Sequence, residues 1–288
     1  MRTRAQLFTS CMVDLFRPRT AIAAVQVLER REVEVEVPEG QTCCGQFAFN
    51  AGHHREAAAM GRQLVKAFEA GAADASGPEP PVIALSGSCA GMLKVELPSL
   101  LERDALARGN TPEVAGQWRR RAEALAARVV EFSEWLDSRD ATGDTGDTGS
   151  TGTPGALAVA WHTGCHMRRL LRLSEPPLRV LRRIGVEPTE LVDAEQCCGF
   201  GGSFGLIEPD LSAAMADAKL AHLADARDHG AIGLASADLG CLMQLSGRMT
   251  RRGDDFPTLH LAELVDLADQ GRLSAPEIAR AAQQQGEA

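Results

Sequence analysis

The chain has 288 residues, long enough for two modest domains with cores of their own, and its 44% apolar content is ordinary for a globular protein. Its 30 Lys and Arg against 39 Asp and Glu give a formal charge of -9, which argues against nucleic acid as a partner, since phosphate contacts need clustered positive charge. No run has the length and hydrophobicity of a membrane span or secretory leader, so the expectation is a cytoplasmic protein without direct membrane insertion, whose eight cysteines stay reduced for metal or redox work.

In chain order, Leu7 and Phe8 lead into Cys11, and Ile22, Val25 and Leu28 predict a helix starting near Thr20. Val33, Val35 and Val37 alternate with glutamates, the period-two mark of a strand with one wet face. Cys43-Cys44-Gly45 follows as a turn. Ala57, Met60, Leu64 and Phe68 recur at helical spacing, and a short strand from Val82 to Leu85 ends at Ser86-Gly87-Ser88-Cys89. One long helix is expected from Pro112 to Leu136. Residues 140–155, which after Asp140 read ATGDTGDTGSTGTPG, lack apolar anchors and read as a flexible linker.

The second half repeats the order. A strand from Leu157 to Ala160 runs into His162-Thr163-Gly164-Cys165, Leu178, Leu181 and Ile184 mark a helix, and Thr189 to Val192 reads as a strand before Cys197-Cys198-Gly199. Leu211, Met215 and Ala218 give a further helical face, and a strand from Ala231 to Ala235 ends at Asp238-Leu239-Gly240-Cys241. Strands alternating with helices predict an α/β fold of two pseudo-repeated domains, each a small, mostly parallel sheet with flanking helices. The expected boundaries are 1–139, linker 140–155, 156–275, and a C-terminal tail 276–288. The long helix has no visible counterpart in the second half, so the duplication is expected to cover only the cysteine-bearing cores.

The cysteines carry the functional signal. Cys11, Cys43, Cys44 and Cys89 are followed by Cys165, Cys197, Cys198 and Cys241 at offsets of 154, 154, 154 and 152 residues, and none lies outside the pattern. In an open α/β layout all four of each set fall in loops just after strands, where sites form. Neighbouring cysteines face one point only if the chain turns, and the glycine after each pair permits that. Four thiolates per half suit a [4Fe-4S] cluster or a tetrahedral zinc. Short Cys-x2-4-Cys knuckles are absent, so one or two iron-sulfur clusters are preferred, with zinc in one half as the alternative.

A lone Cys, a Cys-Cys-Gly and a further Cys, occurring twice, resembles the cysteine-rich CCG domain of heterodisulfide reductase, the glycolate oxidase iron-sulfur subunit and the lactate utilisation proteins. Cys11-Met12-Val13-Asp14-Leu15-Phe16-Arg17-Pro18, Pro38-Glu39-Gly40-Gln41-Thr42-Cys43-Cys44-Gly45-Gln46, Ser86-Gly87-Ser88-Cys89, Cys197-Cys198-Gly199-Phe200-Gly201-Gly202 and Thr258-Leu259-His260-Leu261-Ala262-Glu263 resemble the lactate utilisation protein A family in particular. The resemblance implies an iron-sulfur electron-transfer subunit, non-catalytic or co-catalytic, in a multi-protein system that oxidises L-lactate to pyruvate. It implies other subunits as partners, a ferredoxin-type iron-sulfur protein among them, and all eight cysteines as cluster ligands. The fuller CCG pattern ends in Cys-x-x-Cys, whereas Ser86 and Asp238 stand at the first of those positions here. That departure favours a four-cysteine cubane, or a centre with an Asp238 oxygen as an extra ligand, over a five-cysteine noncubane cluster. The rival readings are a zinc-stapled interaction scaffold and a heterodisulfide-reductase-like thiol/disulfide redox subunit.

His162 and His166 flank Cys165, where a histidine can relay protons, ligate or activate a thiol. The first half has Phe8 and Met12 at those positions, so the shared site does not require them, and they read as structural or hydrogen-bonding residues. His53 and His54 are expected to face solvent. The glycines from Gly199 to Gly205 lack dinucleotide spacing and read as backbone room around a cluster. Arg119 to Arg121 and Arg168 to Arg172 read as solvated helix surface.

Overall fold

A computed structural model describes residues 3–72, 78–140 and 156–284, and within them lie two four-stranded sheets. The first comprises β1 (Thr3–Phe8), β2 (Val33–Glu36), β3 (Val82–Ala84) and β4 (Val129–Glu131) in the order β2-β1-β3-β4. The second comprises β5 (Leu157–His162), β6 (Val186–Glu190), β7 (Leu234–Ser236) and β8 (Thr258–His260) in the order β6-β5-β7-β8. Every pairing is parallel. The registers correspond: Phe8 lies opposite Ala84 as His162 lies opposite Ser236. β1 and β5 are the switch points, each with a neighbour on either side, and a crevice opens at their carboxyl ends. The segment read as a linker lies, but for Asp140, outside the described residues.

Two expectations need correction. The helix from Pro112 ends at Arg128, and Val129-Val130-Glu131 forms β4 before a new helix, Phe132–Asp140. Helical spacing continues through Phe132 and Leu136, which hides the break; the β-branched pair Val129-Val130 is what favours the strand. Both segments have counterparts in β8 and the helix Leu261–Asp269. The duplication therefore extends to a fourth strand and its following helix, and the insertion peculiar to the first half is the pair Leu97–Ala107 and Pro112–Arg128. Similarly, β6 spans Val186–Glu190 rather than starting at Thr189, because Pro188 is tolerated on an edge strand.

Two predicted helix faces are also rotated. In Pro18–Arg30 the buried residues are Thr20, Ala23, Ala24, Val27 and Leu28, while Ile22 is exposed. In Pro209–Asp228 they are Ser212, Ala216, Lys219, Leu220, Leu223 and Ala226, while Leu211 is exposed.

The halves are fused through a common core. One hydrophobic cluster runs from Leu7, Val27 and Ile83 through Phe132 and Trp135 to Trp161, Leu181 and Leu264. The helix Pro18–Arg30 packs on Leu261–Asp269, and reciprocally Glu175–Arg183 packs on Phe132–Asp140, as a pseudo-two-fold axis requires. Charges seal both contacts: Arg30 meets Asp266 at 2.7 Å and Arg31 meets Asp269 at 2.6 Å, while Arg179 and Arg183 converge on Asp137 at 2.5 and 2.9 Å. Among the described residues no helix is long and apolar enough to cross a membrane.

Candidate metal centres

Cys11 opens the helix Cys11–Phe16 after β1, Cys43 and Cys44 lie in the turn after β2, and Cys89 lies in the helix Gly87–Gly91 after β3. Cys165, Cys197, Cys198 and Cys241 repeat these positions after β5, β6 and β7. The lone cysteines thus sit at helix starts rather than in the expected loops. Gly45 and Gly199 turn the chain with φ of 87° and 86°, where an L side chain is strained. Close approach adds a second constraint: a Cβ on Gly199 would overlap the Ser212 carbonyl oxygen, and one on Gly45 would meet the Ala57 oxygen at 3.1 Å.

The structure brings each set of four thiols together in the same order. Cys11 Sγ lies 3.5 Å from Cys43 Sγ, and Cys44 contacts both Cys43 and Cys89. In the second set Cys165 contacts Cys197, Cys198 contacts Cys197, and Cys198 Sγ lies 3.1 Å from Cys241 Sγ. All eight cysteines are free thiols; Cys44, Cys89, Cys198 and Cys241 are buried, and the other four are partly open to solvent. Gly45 and Gly199 each turn their N–H back on the first cysteine of the pair, at 3.5 and 3.4 Å.

These contacts choose the anion. Cys43 is pulled down to about 3 by hydrogen bonds from Cys11 and Cys44, helped by the Gly45 N–H and opposed by burial. Cys197 is pulled down to about 2 by Cys165 and Cys198 in the same way, with the Gly199 N–H adding to them. Their donors Cys11, Cys44, Cys165 and Cys198 are pushed up, first because they give protons to these thiolates and then by burial. Cys241 is raised by burial and the Asp238 charge, against the pull of Cys198. In each set the contacts favour the anion on the first cysteine of the pair, Cys43 or Cys197, and a cation bound there would displace protons from the thiols that donate to it.

The two clusters face each other across the junction of the halves. Phe200, Leu239 and Gly240 from the second half line the cavity beside Cys11, Cys43, Cys44 and Cys89. Phe47 and Phe200 meet edge to face with centroids 5.6 Å apart. The Ser88 N–H donates to Asp238 Oδ2 at 2.8 Å. Asp238 is near enough to Cys165 and Cys241 for its charge to raise both. Gln46 Nε2 lies 2.9 Å from His166 Nε2. If the amide donates there, the ring proton sits on Nδ1, which faces Cys165 Sγ at 3.5 Å.

Two residues outside the cysteine pattern belong to the second cluster. His162 is 1% exposed, and its ligating atoms and those of Cys198 and Cys241 lie within 4.8 Å of one another. Burial holds this ring down to about 3, with the Lys219 charge pressing the same way, so the imidazole is neutral. Lys219 is also fully buried; its Nζ donates to the Asp193 carbonyl at 2.8 Å, and its charge reaches Cys198 and Cys241. The residue types alone did not single out Lys219, which lies in a predicted amphipathic helix. His53 and His54 face solvent, and Arg119 and Arg121 pair with Glu102 and Glu69; Arg168, read as solvated surface, is instead half-buried, with Nε enclosed and its guanidinium on Glu190 at 2.9 Å.

Residues 5–94 and 159–246 match the family described as CCG, a cysteine-rich domain. The chain is 38% identical to Lactate utilization protein A of Geobacillus thermodenitrificans over 264 residues, covering 91% of this chain and 98% of that one. It is 36% identical to the protein of the same name from Bacillus pumilus, covering 91% and 99%, and 33% identical to that of Halalkalibacterium halodurans, covering 93% and 99%. Among solved structures, a hypothetical protein from Helicobacter pylori shares the fold with a TM-score of 0.57 at 13% identity; the match covers 96% of this chain and about half, 52%, of the other.

Proposed function

Since the chain belongs to the lactate utilization protein A family and carries two cysteine-rich CCG domains, we propose that it is a cytoplasmic iron-sulfur electron-transfer subunit of a multi-protein system that oxidises L-lactate. The observation that carries this reading is the recurrence of four convergent thiols, in one order and with one glycine N–H contact, on both halves of the molecule. A cluster bound there supplies reversible one-electron transfer. The chain's own residues do the rest. Cys11, Cys43, Cys44 and Cys89 would hold one centre and Cys165, Cys197, Cys198 and Cys241 the other. The N–H groups of Gly45 and Gly199 donate to ligand sulfur, which raises a centre's potential by stabilising the extra electron. Phe47 and Phe200 pack edge to face across the junction between the two halves. The partly exposed sulfurs of Cys11, Cys43, Cys165 and Cys197 give a partner, such as a ferredoxin-type subunit, a side from which to approach.

One observation favours a second reading. The sulfur pairs at 3.5 and 3.1 Å are near the edge of a tetrahedron around one metal, about 3.8 Å for Zn–S bonds of about 2.3 Å, whereas a cubane spreads its four thiolates over separate irons. Zinc in one or both sites would make the chain a metal-stapled scaffold for its partners. Iron, zinc and acid-labile sulfide measured on protein purified without oxygen decide between the two. Iron with sulfide is expected; zinc without sulfide would replace the electron-carrier reading with the scaffold.

A further inference from the structure

The two thiol clusters are copies in their cysteines but not in what surrounds them. Phe8, fully buried, stands where the second half has His162. Counting seven residues on from Ala57 and Ser212, the residues packed under the two turn glycines, gives Leu64 in one helix and Lys219 in the other, both fully buried. A buried imidazole normally satisfies both ring nitrogens. Among the described residues neither Nδ1 nor Nε2 of His162 has a hydrogen-bond partner, while the sulfurs of Cys198 and Cys241 are within ligand reach. Leaving two polar atoms unpaired in the interior is costly, and a metal atom at the Cys198–Cys241 edge would remove that cost.

From this geometry we infer that His162 is a nitrogen ligand of the second centre, so that the protein holds one all-thiolate centre and one centre of mixed thiolate and imidazole ligation. The inference rests on both sites taking metal, as proposed above. The imidazole is a neutral donor that joins the cysteines of the second centre without adding negative charge, and the buried Lys219 lies close enough to Cys198 and Cys241 to act on both, where the first half has the apolar Leu64. An ammonium group beside the second site stabilises an added electron, so reduction is easier there than at the first site. The duplication thereby yields two unlike centres instead of two equivalent ones.

The test is X-ray absorption at the K edge of whichever metal the anaerobically purified protein holds, on the wild type, His162→Phe and His162→Cys, with His166→Gln as control. The wild type and His166→Gln should show a nitrogen scatterer beside sulfur. His162→Phe, which installs the first half's residue, should lose it, whether the second site keeps its metal or sheds it. His162→Cys should retain metal with an all-sulfur shell and, for iron, bring the higher of two reduction potentials down towards the lower. An all-sulfur shell in the wild type, or a nitrogen shell that persists in both His162 variants, would overturn the inference. The edge itself separates the two ideas: nitrogen ligation seen only at the zinc edge would retain His162 as a ligand and put zinc in the second site, and the iron-sulfur reading would fall altogether only if the protein also held no iron.

Discussion

At the residue scale, the turn glycines decide whether each thiol pair can face one point. Gly199→Ala meets both a left-handed φ and a carbonyl oxygen that overlaps the new Cβ, which should cost about 1–3 kcal/mol and empty the second site; Gly45→Ala, whose nearest contact is 3.1 Å, should cost less. Thermal melts with metal content check both. Cys43→Ser and Cys197→Ser should each remove one site's share of metal, and loss of all metal from either would mean a single shared centre. A buried carboxyl gives a pH test away from the thiols. Glu131 is raised by burial from 4.5 to about 7, while Ser133 and Glu134 hydrogen bonds partly oppose the shift. Its contribution is largest below pH 4.5 and falls as pH rises to 7, by roughly 3 kcal/mol, because over that range the unfolded chain gives up the proton that the folded one keeps. Glu131→Gln should flatten that part of the profile of melting temperature against pH. The convergence of the cysteines was legible because eight of one residue type at matched spacing seldom arise except from a duplication. His162 was not, because a histidine near a cysteine has many roles, and the lack of partners on its ring nitrogens exists only in three dimensions.

At the element scale, alternating valines exposed β2 in the sequence, while β3 showed as a short unbroken apolar run, Val82 to Leu85, ending at the turn residues Ser86-Gly87-Ser88. β4 was concealed because Phe132 and Leu136 prolong the helical period beyond Arg128, so the extent of the repeat was underestimated. The rotated faces of Pro18–Arg30 and Pro209–Asp228 have a related cause. Small residues such as Ala23, Ala24, Ser212 and Ala216 allow close packing on the sheet, and their low hydrophobicity makes them weak signals beside Ile22 and Leu211. The helix after β4 also carries the shared core, since Phe132 is fully buried in the cluster that joins the halves. Phe132→Ala should lower stability by about 3–5 kcal/mol, measured by denaturant unfolding, and should loosen both halves in one transition rather than the first alone.

At the scale of the whole molecule, two copies of one sheet have been joined so that each supplies a helix to the other, and the crevices at their switch points open on a common junction. That two-domain α/β plan was legible from the repeated strand–cysteine–helix order, whereas the pseudo-two-fold packing was not, because its contacts join residues such as Arg30 and Asp266 that no local pattern relates. A chain cut between residues 141 and 155 should therefore run as one particle in size-exclusion chromatography, since the shared core and reciprocal helix contacts lie in the described halves. In the proposed function these paired thiol clusters carry electrons in lactate oxidation. The most direct measurement is iron, zinc and acid-labile sulfide in anaerobically purified protein, read beside its visible absorption before and after reduction. Iron with sulfide, and a visible band that bleaches on reduction, is the expected result; zinc without sulfide and no visible band would contradict it.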